Sequence, residues 1–198
     1  MYKRLKKDSK WTIIKHGNFL VDKIIDEVSG YSSEWLLDTS RQELGSVHIK
    51  TNMYRICETD YAWIPGTPIE TFYRNYMKTP AAQKQLDRIF TDLQEFYSGN
   101  IIRCEIIKLM PFSEVLKHTD GGALLHYSRR VHIPLITDKD ITFTVMDNTI
   151  HMEPGGWYEI NNQMPHSVNN PTDKERVHII IDILPDEMLQ LDKRSRDE

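Results

Sequence analysis

From Arg130 to Ile160 the chain reads RVHIPLITDKDITFTVMDNTIHMEPGGWYEI, and this stretch decides the fold. Runs suited to strands at Arg130–Ile136, Ile141–Met146, Thr149–Met152 and Trp157–Ile160 are separated by Asp138-Lys139-Asp140, Asp147-Asn148 and Pro154-Gly155-Gly156. Those separators are turn formers, so four short strands are expected here. Working outward, Ile101–Leu109 and Glu114–His118 precede the stretch, and His166–Asn169 and Arg176–Leu184 follow it. Their turns fall at Met110-Pro111, Asp120-Gly121-Gly122 and Asn169-Asn170-Pro171. Eight short strands at even spacing predict a β-sandwich or barrel of the jelly-roll or cupin kind. Asp147-Asn148, set between two apolar runs, predicts a tight hairpin.

The first hundred residues read differently. Leu20, Ile24, Ile25 and Val28 form a helical stripe within Phe19–Val28, which Gly30 ends. Thr79 followed by Pro80 marks a second helix start, since proline suits the first helical position. Leu86, Ile89, Phe90, Leu93 and Phe96 or Tyr97 then share one face as far as Gly99, and Val47–Ile56 reads as extended. The expected organisation is mainly β with flanking helices: a mixed α/β region over 1–100 packed on a barrel over 101–185, then a tail over 186–198, all one domain.

Composition narrows the function classes. The 198 residues are 39% hydrophobic and 27% charged, ordinary values for a globule with a core. A net charge of -4 argues against a nucleic-acid surface. The one basic cluster, Lys3, Arg4, Lys6, Lys7 and Lys10, reads as a solvated tail. No secretory leader is visible, and no apolar run approaches the ~20 residues that span a bilayer. Cys57 and Cys104 are isolated among apolar neighbours, as reduced core cysteines are, so a cytoplasmic setting without membrane association is the expectation.

His118-Thr119-Asp120 and the distant His166 carry the chemistry. Residues two apart on an extended strand point to one side, so His118 and Asp120 can close on one metal ion while His166 adds a third ligand. Two imidazoles and a carboxylate on one face are the ligand set of non-haem Fe(II) oxygenases. Gly121-Gly122 lets the backbone turn away. A hairpin centred near Pro171 would set His166 opposite Arg176, whose planar fork suits the far carboxylate of a diacid held by the metal. The alternative for Arg176 is a structural ion pair with Glu159 or Asp182. Arg130 and His132 share one strand face, which is either the barrel interior or solvent. His48 and Lys50 are candidates to reach over the barrel mouth to a substrate. His16, His126, His151 and His178 read as surface or hydrogen-bonded structural residues.

From His118 to Asp182 the chain resembles the aspartyl/asparaginyl β-hydroxylase family, a branch of the Fe(II)/2-oxoglutarate-dependent oxygenases. The matching segments are HTD, SRRVHIPL, PGGWYEINNQMPHSVNN and KERVHIIID. The resemblance implies a double-stranded β-helix that couples oxidative decarboxylation of 2-oxoglutarate by O2 to hydroxylation of a C–H bond. It makes His118 and His166 iron ligands, gives Arg176 the distal carboxylate of 2-oxoglutarate, and sets Arg130 and His132 in the same pocket. Vertebrate members carry glycine where this chain has Asp120, so its full ligand set looks more like that of the bacterial free-proline hydroxylases in the same wider group. The expected substrate is a free amino acid or a peptide side chain. A cupin-type hydrolase or isomerase would explain the metal ligands but not Arg176, and a ligand-binding jelly roll would need no metal.

Overall fold

Side chains that alternate between helix-facing and cavity-facing positions organise the central sheet. The computed structural model describes residues 11–43 and 46–190. In chain order it contains β1 (Ile13–Asn18), α1 (Asp22–Val28), β2 (Thr51–Thr59), β3 (Thr71–Tyr73), α2 (Pro80–Tyr97), β4 (Gly99–Leu109) and β5 (Ser113–His118). There follow α3 (Ala123–Tyr127), β6 (Arg129–Ile136), β7 (Thr142–Val145), β8 (Asn148–Ile150), β9 (Gly156–Ile160), β10 (His166–Asn170) and β11 (Arg176–Pro185). A seven-stranded sheet runs β1-β9-β6-β11-β4-β2-β3, and a four-stranded sheet runs β5-β10-β7-β8. From β4 onward the chain changes sheet at every connection except the β7–β8 hairpin. That is a double-stranded β-helix, and its eight strands are the eight expected from the sequence.

Period-two alternation gives the large sheet two different faces. Val177, Ile179, Ile181 and Ile183 of β11, with Val131, Ile133 and Leu135 of β6, pack against Ile24 and Val28 of α1 and Leu86, Ile89 and Leu93 of α2. Burying each such aliphatic side chain is worth roughly 1.5–3 kcal/mol. The alternate residues, Arg176, His178 and Asp182 on β11 and Arg130 and His132 on β6, are buried too. Since the helices cover one face, these residues fill the other, between the sheets. That resolves the orientation of the Arg130–His132 strand.

The α2 start is as expected: Thr79 Oγ1 accepts from the Ala82 amide at 3.3 Å, and Pro80 opens the helix. Gly99 is there for another reason. Ser98 takes the left-handed cap, while a Cβ on Gly99 would lie 2.5 Å from the carbonyl oxygen of Leu184. Glu27 of α1 ties the two helices together, accepting from the Tyr31 hydroxyl at 2.6 Å, the Lys78 amide at 2.7 Å, and the Thr79 amide and hydroxyl at 2.8 and 2.7 Å. Burial alone would raise its pKa, but these donors hold it below its ordinary 4.5. A carboxylate depressed in the folded state stabilises above its unfolded pKa and loses that contribution as pH falls through the folded value. Glu27→Gln is therefore expected to cost about 1–3 kcal/mol at neutral pH and progressively less in acid, as thermal denaturation across pH would record.

Several expectations need correction. β10 and β11 do not pair: β10 lies between β5 and β7, and β11 lies between β4 and β6. The turn after Asn170 carries the chain from one sheet to the other, so His166 does not face Arg176. Val47–Ile56 is extended only from Thr51, with a turn over 47–50 before it. In the β7–β8 hairpin Val145 pairs with Asn148, so the loop is Met146-Asp147, one residue earlier than expected, with Met146 at φ 56°. β1 and β3 add to opposite ends of the large sheet. At the expected tail, Asp186–Met188 forms a 3-10 turn that buries Met188. The Lys3–Lys10 cluster and residues 191–198 lie outside the described residues. Cys57 and Cys104 are free and buried, and they are register partners on β2 and β4. Among the described residues no helix is long and apolar enough to cross a membrane.

Candidate metal centre

His118 closes β5 and His166 opens β10, and the two are Cα partners across the small sheet. Asp120 follows two residues later in the connection to α3, where its amide donates to the Asn162 carbonyl at 3.2 Å. Gly122, at φ +90°, then turns the chain into α3. One ligand atom from each of His118, Asp120 and His166 lies within 4.8 Å of the others. Nε2 of His118 is 3.9 Å from one Asp120 oxygen, and Nε2 of His166 is 3.7 Å from the other.

The imidazoles are set for coordination. Nδ1 of His118 meets the Leu116 carbonyl at 2.8 Å, and Nδ1 of His166 meets that of Met164 at 2.9 Å. A carbonyl only accepts, so Nδ1 carries the proton and the Nε2 lone pair faces the shared centre. Burial lowers the pKa of both, that of His166 to about 4, so both rings are neutral at physiological pH.

The carboxylate is aimed by a buried charge network. Arg130 contacts Asp120 through Nη1 and clamps Asp182 with Nε at 2.9 Å and Nη2 at 3.1 Å. Arg103 holds the same Asp182 from β4, with Nε at 2.6 Å. Burial first, and then the Asp182 carboxylate, push Asp120 up to about 7. The Arg103 and Arg41 guanidiniums pull the other way.

Arg176 lies deeper and has no such partner. It is buried, and its one polar contact among the described residues is Nη2 to Nδ1 of His178 at 2.9 Å. Among the described residues no carboxylate comes within ion-pair distance of it. Asp182 is taken by Arg103 and Arg130, while Glu159 pairs with His16 and Arg129 at the other face. Burial lowers the pKa of Arg176. His132 is buried with neither ring nitrogen bonded, and Nε2 of His178 is likewise unpartnered. Phe143 joins the two regions, its ring 6.1 Å from that of His166 and 5.9 Å from the Arg176 guanidinium. A cavity of about 450 Å³, mouth included, opens between these residues. A buried unpaired guanidinium and orphaned imidazoles are costly unless a guest completes them. An anion beside Arg176 and a cation among three convergent donors both fit what is present.

His118, Asp120 and His166 thus converge, and Arg130, His132 and Arg176 border the same cavity. Arg130 spends its donors on the two aspartates. His48 also lines the cavity, from the turn before β2, with its ring edge-on to His118 at 4.9 Å. Burial, then Arg41, lowers its pKa to about 3. Lys50 is exposed and is not among the cavity-lining residues. His126 is exposed, and His16 and His151 are hydrogen-bonded away from the cavity. Sequence reasoning overlooked Arg41, Phe143, Asp182 as a clamp, and His178 as the neighbour of Arg176. The alternation Arg176, His178, Asp182 on one strand face was the signal for two of these.

A family model described as Aspartyl/Asparaginyl beta-hydroxylase matches residues 67–185. Among solved structures, the viral collagen prolyl hydroxylase of Paramecium Bursaria Chlorella virus-1, a 2OG complex, aligns with TM-score 0.57 and 12% identity over 88% of this chain and 96% of that one. At that identity the likeness shows the fold. A 2OG-Fe(II) oxygenase family oxidoreductase from Burkholderia pseudomallei gives TM-score 0.49 and 15% identity, covering 68% of this chain and 66% of that one, just under two thirds of its length. A cupin domain from Bordetella pertussis Tohama I gives 0.34 and 21%, covering 42% of this chain and 82% of that one. No curated protein matches the chain.

Proposed function

Because the chain belongs to the Aspartyl/Asparaginyl beta-hydroxylase family, we propose that it is a hydroxylase that uses Fe(II), 2-oxoglutarate and O2 to hydroxylate a free amino acid or a peptide side chain. The observation that carries this reading is Arg176, a buried guanidinium with no carboxylate of its own among the described residues, in the cavity that His118 and His166 also line and beside which Asp120 converges on those two imidazoles. A metal hydrolase or isomerase would leave that charge without a purpose.

When bound, the iron and 2-oxoglutarate supply the oxidising chemistry, activating O2 at the cost of decarboxylation. The protein's part is positional. His118, His166 and Asp120 hold the metal, and Arg130 fixes the direction of the Asp120 carboxylate through its grip on Asp182. Arg176 receives the distal carboxylate of 2-oxoglutarate, for which a guanidinium is matched in shape and charge. His132 offers ring nitrogens to the same guest, His178 holds the Arg176 guanidinium through Nδ1, and Phe143, Val168 and Ile180 keep the pocket apolar and exclude water. No side chain is needed as nucleophile or general base.

The reading is tested by adding Fe(II) and then 2-oxoglutarate without oxygen and watching for the charge-transfer absorption of the chelate. A screen of amino acids for succinate release on admitting air follows. Failure of 2-oxoglutarate to perturb the iron spectrum refutes the reading. Arg176→Ala is expected to weaken 2-oxoglutarate binding by roughly tenfold to a hundredfold. Its Fe(II) affinity should stay within about twofold of wild type, since the residue touches no ligand atom. Titration calorimetry measures both, and an unchanged 2-oxoglutarate affinity would remove Arg176 from the site.

A further inference from the structure

A second incompletely paired guanidinium borders the cavity. Arg41, in the short 3-10 turn Ser40–Gln42, lines it beside His48 and Thr51. Its Nη1 reaches Glu105 only at 3.3 Å, and its Nε is buried with no partner. Glu105 is also shared with Arg55 at 3.5 Å. Nδ1 of His48 is a second buried, unpartnered atom on this wall. The wall is held in place locally. Gln42 donates to the Thr51 carbonyl at 3.1 Å, and the Thr51 hydroxyl donates to the His48 carbonyl at 2.7 Å.

Charge balance points the same way. In and around the cavity, Arg41, Arg103 and Arg130 meet three carboxylates, Glu105, Asp120 and Asp182, and Arg176 adds a fourth guanidinium that meets none. Arg55, which shares Glu105, and Arg74 add two positive charges that Asp38 and Glu58 match, so the count is unchanged. A divalent cation and a dicarboxylate entering together cancel each other, so one positive charge is left over; a zwitterionic amino acid leaves that net charge unchanged, but its carboxylate can answer the Arg41 guanidinium locally. We propose that Arg41, with His48 beside it, anchors a carboxylate of the substrate, and that the substrate is a small free carboxylic acid of the amino-acid class. The inference rests on the reading under Proposed function. It favours a free amino acid over a peptide because the cavity that Arg41 lines must hold the co-substrate as well.

The test uses the full chain loaded with Fe(II) and 2-oxoglutarate under anaerobic conditions. It is titrated with the twenty free amino acids, with the primary amide of each one that binds, and with short aspartyl peptides. Calorimetry and the change in the charge-transfer band report binding without turnover. At least one free acid is expected to bind, with its amide weaker by about tenfold or more. Arg41→Gln should lose a similar factor for the acid and little for the amide, while 2-oxoglutarate affinity stays within about twofold. Arg41→Lys, which keeps the charge without the fork, should fall between.

An amide that binds as tightly as its acid overturns the proposal. So does an Arg41→Gln variant that binds the acid like wild type, an absence of any amino-acid binding, or a peptide that outcompetes every free acid. Should Arg41→Gln lose 2-oxoglutarate through misfolding, the acid-to-amide ratio of the wild type decides. If the wild type itself fails to bind 2-oxoglutarate, the reading under Proposed function falls too. Normal 2-oxoglutarate binding without an acid preference removes Arg41 alone.

Discussion

His166→Ala is expected to yield a folded protein that no longer holds stoichiometric Fe(II). The imidazole supplies one of three donors, and its other nitrogen is tied only to the Met164 carbonyl in the same segment. Losing a group behind a metal ligand already costs ten- to a hundredfold in affinity, so losing the ligand itself should cost more than about a hundredfold. The fold should lose only about 1–2 kcal/mol, because the ring is neutral and holds no ion pair of structural weight. Metal analysis after gel filtration, beside a urea melt of the metal-free protein, separates the two effects. Retained stoichiometric iron would dismiss His166 as a ligand, and Asp120→Ala should behave the same way.

Asp182→Ala should act in the opposite manner, on the fold first. This fully buried carboxylate accepts from both Arg103 and Arg130, so its removal leaves two guanidiniums in the interior with their partner gone. Breaking a buried ion pair from one side costs about 3–5 kcal/mol, a large share of the stability of a single domain. Arg130 would then be free to turn wholly onto Asp120, and metal affinity should fall although no ligand has changed. Denaturant melts with and without metal would register both losses. A variant within about 1 kcal/mol of wild type would mean that solvent reaches these guanidiniums.

The strands were legible because turn formers such as Asp138-Lys139-Asp140 and Pro154-Gly155-Gly156 separate them, and the metal ligands because His118 and Asp120 keep strand spacing. Sheet membership was not legible. A turn at Asn169-Asn170-Pro171 looks the same whether the chain doubles back beside itself or crosses to another layer, and here it crosses. β3, only three residues long, carries too little periodicity to be noticed. Arg41 sits in a short polar turn far from His118 in sequence, and only the fold brings it to the cavity. Arg176 was singled out from its chemistry, but the hairpin used to place it was wrong. Its position comes from the alternation along β11.

That alternation means that one stretch of chain is written in two interleaved messages, Val177, Ile179, Ile181 and Ile183 for the hydrophobic interior and Arg176, His178 and Asp182 for the chemistry. Inserting one residue near the start of β11 would shift the reading frame of everything after it, sending Ile179 and Ile181 into the cavity and His178 and Asp182 under the helices. Evolution can therefore lengthen the crossing between β10 and β11, but within β11 it can only exchange one side chain for another.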